Sequence, residues 1–73
     1  MEKEEFERKW KELNIDFDEH ALIYLRGSGY IRATKYKWLD DEFIKFFYDD
    51  PWEYIEVGGF EVEEIEGLMK EKD

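Results

Sequence analysis

A chain without cysteine has only side-chain burial to hold it together, and here fourteen aromatic rings in 73 residues carry most of that task. Six Phe, five Tyr and three Trp bury a large area per residue, which lets a chain this short form a core. The rings also exclude a disordered acidic tail, although 44% of the residues are charged and the formal net charge is −10. The length allows one domain, residues 1–73. A core of this size rarely exceeds ~3–5 kcal/mol, so a partner or a second copy is expected to add stability. With no cysteine there is no disulfide, no thiolate zinc site and no thiol nucleophile. The first twenty residues lack the apolar stretch of a signal peptide, and the run Ala21 to Leu25 is too short to cross a membrane. The expectation is a soluble, cytoplasmic protein with no membrane contact. Asn14, Ser28 and Thr34 occur once each and Gln is absent, while Glu and Lys abound, a thermophile tendency.

Charge divides the chain in three. Residues 1–19 hold eight acids and four bases, and residues 20–39 hold four bases and no acid. Residues 40–73 hold thirteen acids and three bases. No repeat, linker or low-complexity segment marks a domain boundary.

The local patterns predict an α+β domain, with an N-terminal and a C-terminal helix around a small antiparallel sheet. Phe6, Trp10 and Leu13 form one apolar stripe, which predicts a helix from Lys3 to Leu13 with Asn14 as its stop. Glu4–Arg8, Glu5–Lys9 and Glu7–Lys11 are placed to pair along it. Asp16 and Glu19 resemble a capping box, but Ile23 and Tyr24 mirror Tyr30 and Ile31 across Gly27-Ser28, so 21–26 reads as a strand. A second strand over 30–38 would put Tyr30, Arg32, Thr34, Tyr36 and Trp38 on one face. Residues 41–48 fit a helix capped by the acids at 40–42, or a strand. Asp49-Asp50-Pro51 ends that element. Gly58-Gly59 between alternating runs reads as a hairpin turn. Val62, Ile65, Leu68 and Met69 have helical spacing up to about Lys72.

Catalytic constellations are weak. Ser28 and His20 have no nucleophile-elbow pattern around them. One histidine without cysteine makes no usual zinc site, and neither Asp16, Asp18, Glu19 nor Asp40, Asp41, Glu42 follows calcium-loop spacing. Carboxylates are too abundant for any pair to stand out as an acid–base couple. Gly27-Ser28-Gly29 continues into neither a dinucleotide fingerprint nor a Walker loop. No enzyme activity and no cofactor are expected.

Two surfaces remain. The segment from Tyr24 to Trp38 interleaves rings and bases, and Tyr30, Arg32, Tyr36 and Lys37 could stack and neutralise single-stranded nucleic acid. The net charge of −10 opposes that. The acids Asp40, Asp41, Glu42, Asp49, Asp50, Glu53, Glu56, Glu61, Glu63, Glu64 and Glu66 fall within 27 positions. A turn at Gly58-Gly59 would set Glu56 directly across from Glu61 with Glu63 nearby, and like charges so placed are destabilising. The crowding points to a basic partner. The favoured reading is a non-enzymatic binding module with an acidic partner surface. It comprises Asp40, Asp41, Glu42, Asp49, Asp50, Glu53, Glu56, Glu61 and Glu63, with Trp52 and Tyr54 as aromatic anchors. It would dock on a basic, nucleic-acid-binding site of a larger protein, its carboxylates standing where phosphates would. In general character this resembles the small inhibitors that phages and other mobile elements aim at host defence or transcription machinery. The alternative is an assembly subunit or homo-oligomer, joined through the Phe6, Trp10, Leu13 stripe and Phe43, Phe46 and Phe47.

Overall fold

Helix α1 (Lys3–Leu13) forms where the apolar stripe places it, and Asn14 closes it in the left-handed conformation, its N–H donating to the Lys11 carbonyl at 3.2 Å. Of the three charge pairs read from the sequence, Glu5–Lys9 closes at 3.4 Å. The computed structural model describes residues 1–27, 29–49 and 54–73. Among these, six strands follow the helix: β1 (Glu19–Leu25), β2 (Gly29–Ala33), β3 (Lys35–Trp38), β4 (Phe43–Asp49), β5 (Tyr54–Glu61) and β6 (Ile65–Lys72). They build two antiparallel three-stranded sheets, ordered β2-β1-β6 and β3-β4-β5. No described helix is long and apolar enough to cross a membrane.

One ribbon joins the two sheets. β2 pairs with β1, and β3 pairs with β4, with Thr34 alone between them. Ile31 packs against the core and Ala33 lies within it, but beyond Thr34 the inward residues are Tyr36 and Trp38. The inward set therefore changes phase at Thr34. That residue is pinned there, its N–H donating to the Phe47 carbonyl at 2.8 Å and its Oγ1 accepting from the Asp49 N–H at 2.9 Å. The single-face reading of 30–38 is corrected accordingly: Tyr30 and Arg32 point out of one sheet, while Tyr36 and Trp38 point into the core.

The core lies between the sheets and is plugged by α1. Ala21, Ile23, Leu25, Ala33, Ile44, Phe46, Val62 and Ile65 are buried together with Phe6. Phe6 meets Tyr36 edge-on at 5.1 Å and Trp38 at 5.7 Å, and lies 5.8 Å from both Trp10 and Phe46. Phe6 and Phe46 are thus interior residues, which removes them from any assembly surface. Burial, and secondarily the Glu7 carboxylate, push the Tyr36 phenol above its ordinary value of 10.0. The folded form then holds that proton more tightly than the unfolded chain does. Stability is complete below about pH 10 and is lost as pH rises through the folded value. Urea melts at increasing alkaline pH will show this loss, and Tyr36→Phe will flatten it; an equally steep loss in the variant would assign it to other groups.

Two expectations fail, for related reasons. Gly58-Gly59 is no reversal; both residues lie inside β5. Phe46 pairs with Gly58 but Phe47 with Glu56, so Val57 is an extra residue and the glycines flank a bulge. Gly58 has φ of 141°, and its bare Cα lies under the Phe60 ring. There is likewise no C-terminal helix: a short 3-10 helix (Val62–Glu64) leads into β6, which lines the second edge of β1. Its helical spacing has two other sources. Val62 and Ile65 face the core across the 3-10 turn. Ile65 and Leu68 both face inward because Glu66 is an extra residue between the pairs Leu25–Ile65 and Tyr24–Gly67. A bulge gives three-residue spacing to a strand. The competing readings of 16–26 and 41–48 both resolve as strands. The side-chain links expected of helix caps are present but close turns instead. The Asp16 N–H donates to Glu19 Oε1 at 2.9 Å, and Asp40 Oδ1 accepts from the N–H groups of Glu42 and Phe43 at 2.7 and 2.8 Å.

Candidate partner-binding site

The crowding argument for the acids changes with the topology. Glu56 and Glu61 lie five residues apart on one strand, across from Phe47 and Phe43 respectively. Several of the proposed carboxylates are engaged within the chain. Asp49 pairs with Lys35 at 3.0 Å, Asp41 with Lys3 at 3.2 Å, and Glu56 with Lys45. Asp40 serves its own turn. Asp50, Trp52 and Glu53 lie outside the described residues. Tyr54 is 62% exposed and stacks on Phe47, with ring centroids 5.4 Å apart. It sits at the opposite end of β5 from Glu61, roughly 23 Å away by strand rise, in a region where Lys35 and Lys45 balance Asp49 and Glu56.

The acids that gather are those at the other end of the molecule. The Val62 N–H donates to the Glu42 carbonyl at 2.7 Å, tying the β3–β4 turn to the 3-10 helix. This stitch brings Glu42, Glu61 and Glu63 around a concavity of about 330 Å³, whose wall is completed by Glu2, Lys3 and Asp41. The start of α1 is held against it. The Met1 amino group donates to the carbonyls of Val62 and Ile65 at 3.2 and 2.9 Å. A second groove of about 520 Å³ shares Glu2, Lys3 and Asp41 and adds Glu4 and Glu7. Seven carboxylates thus line two adjoining concavities, which share Glu2, Lys3 and Asp41. Among the described residues no group of three or more acids or histidines is placed to hold a metal ion.

Sequence reasoning assigned Asp41, Glu42, Glu61 and Glu63 to this surface and missed Glu2, Glu4 and Glu7. A local signal existed for Glu2 and Glu4, which mark the start of the helix where acids are favoured beside its free N–H groups, but none for Glu7, one turn further on. The basic-aromatic set is dispersed. Tyr30 lies beside Tyr24 with ring centroids 6.0 Å apart, and Arg32 reaches Glu71 at 3.9 Å, both on the outer face of the first sheet. Lys37 sits across from Lys45 on the second sheet, and Tyr36 is in the core cluster.

Another polar cluster forms around His20, which sequence reasoning set aside with Ser28 for want of a nucleophile-elbow pattern. His20 is 3% exposed; its Nε2 lies 3.1 Å from Glu71 Oε1, and its Nδ1 is hydrogen-bonded to Asp73 Oδ1. The Tyr48 hydroxyl donates to the same Asp73 oxygen at 3.2 Å. Comparison with protein-family models, with curated proteins and with solved structures finds no match for this chain.

Proposed function

We propose that this protein is a non-enzymatic binding module that presents the acidic surface of α1, the β3–β4 turn and the 3-10 helix to a basic site on a larger protein. In its most specific form it is an inhibitor, covering a nucleic-acid-binding site with carboxylates placed where phosphates would lie. The observation that carries the reading is the pair of adjoining concavities lined by Glu2, Glu4, Glu7, Asp41, Glu42, Glu61 and Glu63, against which stand Lys3, paired with Asp41, and the Met1 amino group. The engaged acids of the second sheet, Asp49 and Glu56, are bystanders. A net charge of −10 speeds the encounter with a cationic partner, and the buried Val62 and the partly buried Lys3 stem line the groove beneath the acids.

Capture from the source lysate at low and high salt tests this, with a variant carrying Glu2→Gln, Glu42→Gln, Glu61→Gln and Glu63→Gln alongside. The wild type will retain a basic protein at low salt and release it steeply as salt rises. The variant will retain it at least about tenfold less well at low salt. Salt-indifferent capture, or equal capture by the variant, removes the proposal.

A further inference from the structure

The chain places a cation of its own among the carboxylates. The Lys3 ammonium group lies 4.9 Å from the centre of the Trp38 ring and 3.2 Å from Asp41 Oδ1. The indole offers it a face of negative charge, and the carboxylate offers it a counter-ion. Lys3 lines both concavities, whereas Trp38, under the ammonium, lines neither. Asp41 stays 94% exposed with this lysine against it, so most of the carboxylate is open to a second cation.

We propose that Trp38 and Asp41 form a subsite for an arginine side chain of the basic partner, and that Lys3 is its internal occupant, displaced on binding. The subsite belongs to the acidic surface proposed above and rests on that reading. The charges favour it. Of the two cations in the lining, the Met1 amino group is engaged by the carbonyls of Val62 and Ile65, and Lys3 is paired with one of the carboxylates. A guanidinium suits the place better than the ammonium that now fills it. Its plane stacks on an indole and its forked N–H groups donate in parallel to both oxygens of a carboxylate, whereas an ammonium is a point charge.

Lys3 also has another acid to turn to. Glu7 stands four residues further along α1, the spacing at which helical side chains meet, and lines the second concavity with it. Only molecules with Lys3 swung out offer the subsite, so apparent affinity falls by their fraction. A cation over an accessible ring and an exposed ion pair each hold weakly, which sets that penalty at about fivefold.

NMR titration of the full chain with N-acetyl-argininamide and N-acetyl-lysinamide at low salt tests the subsite. The arginine compound will shift the Trp38 ring and Asp41 signals along a saturable curve in the millimolar range. The lysine compound will bind there at least about threefold more weakly. Lys3→Met, which keeps an apolar stem beside the indole, will tighten the arginine compound about fivefold. Lys9→Met takes the same charge from the Glu5–Lys9 pair of the same helix and will change it less than about twofold. No saturable shift at Trp38 in the wild type and Lys3→Met alike, equal gains from the two variants, or equal binding of the two compounds overturns the proposal. A lysate protein captured without an arginine response at Trp38 leaves the acidic-surface reading standing and removes the subsite; an arginine response with nothing captured does the reverse.

Discussion

Phe6→Ala will leave the protein largely unfolded at 25 °C. Phe6 is 0% exposed and joins α1 to the second sheet, through Tyr36 and Trp38 on β3 and Phe46 on β4. Truncating a buried Phe to Ala costs about 3–5 kcal/mol, the lost transfer energy plus the cavity left behind. A domain of this size holds about 3–5 kcal/mol in its core, so the single change removes nearly all of it. The loss spreads through the helix. With eleven residues α1 is shorter than the ~12–15 needed to persist alone in water, so it survives only while docked. Far-ultraviolet circular dichroism will therefore lose its helical component together with the aromatic near-ultraviolet signal. Phe6→Leu, which keeps most of the volume, will cost about 1–2 kcal/mol and stay folded. If Phe6→Ala unfolds in urea at the wild-type midpoint, the ring cluster is not what holds the helix down.

That helix was also the most legible part of the sequence. Its stripe, its Glu5–Lys9 pair and its left-handed stop at Asn14 are all local, and these patterns survive tertiary packing. The strands were legible as strands, but their faces were not. Alternation assigns a face only while the strand stays regular, and three irregularities here reset it. Thr34 flips the phase between β2 and β3, Val57 is an extra residue in β5, and Glu66 is an extra residue in β6. Each of these is decided by the partner strand, not by the residues themselves. The bulge at Glu66 and the 3-10 turn before it imitate a helix in spacing alone, and β6 is a strand because β1 has a second edge to cover.

The candidate site divides along the same line. Residue type and sequence proximity identified Asp41, Glu42, Glu61 and Glu63, which lie on segments tied together by the Val62–Glu42 hydrogen bond. Proximity also brought in Asp49 and Glu56, whose lysine partners come from β3 and β4 and could be known only from the register. Glu2, Glu4 and Glu7 are 34 to 61 positions away in sequence, and only the docking of α1 brings them beside the others.

Replacing His20 will cost more than replacing any of the exposed charges. Its ring sits where the register sets it across from Glu71, and Asp73 approaches from the other side. Each ring nitrogen thus faces a carboxylate. His20→Leu keeps much of the volume but leaves Glu71 and Asp73 side by side against an apolar surface. Both carboxylates are about two-fifths exposed, at 44% and 39%, so water recovers part of the loss. The net cost is about 2 kcal/mol, or a fall in melting temperature of roughly 8–16 °C for a domain of this size. The end of β6 will loosen first, with faster amide exchange at Glu71 and Lys72 than in the wild type. Adding Glu71→Gln and Asp73→Asn to His20→Leu removes the repulsion between the two carboxylates and will recover part of the lost stability, the recovery being limited by the Arg32 and Tyr48 contacts that these groups also make. Should His20→Leu melt at the wild-type temperature, the paired carboxylates contribute nothing to holding β6 on β1, and backbone pairing alone secures that edge.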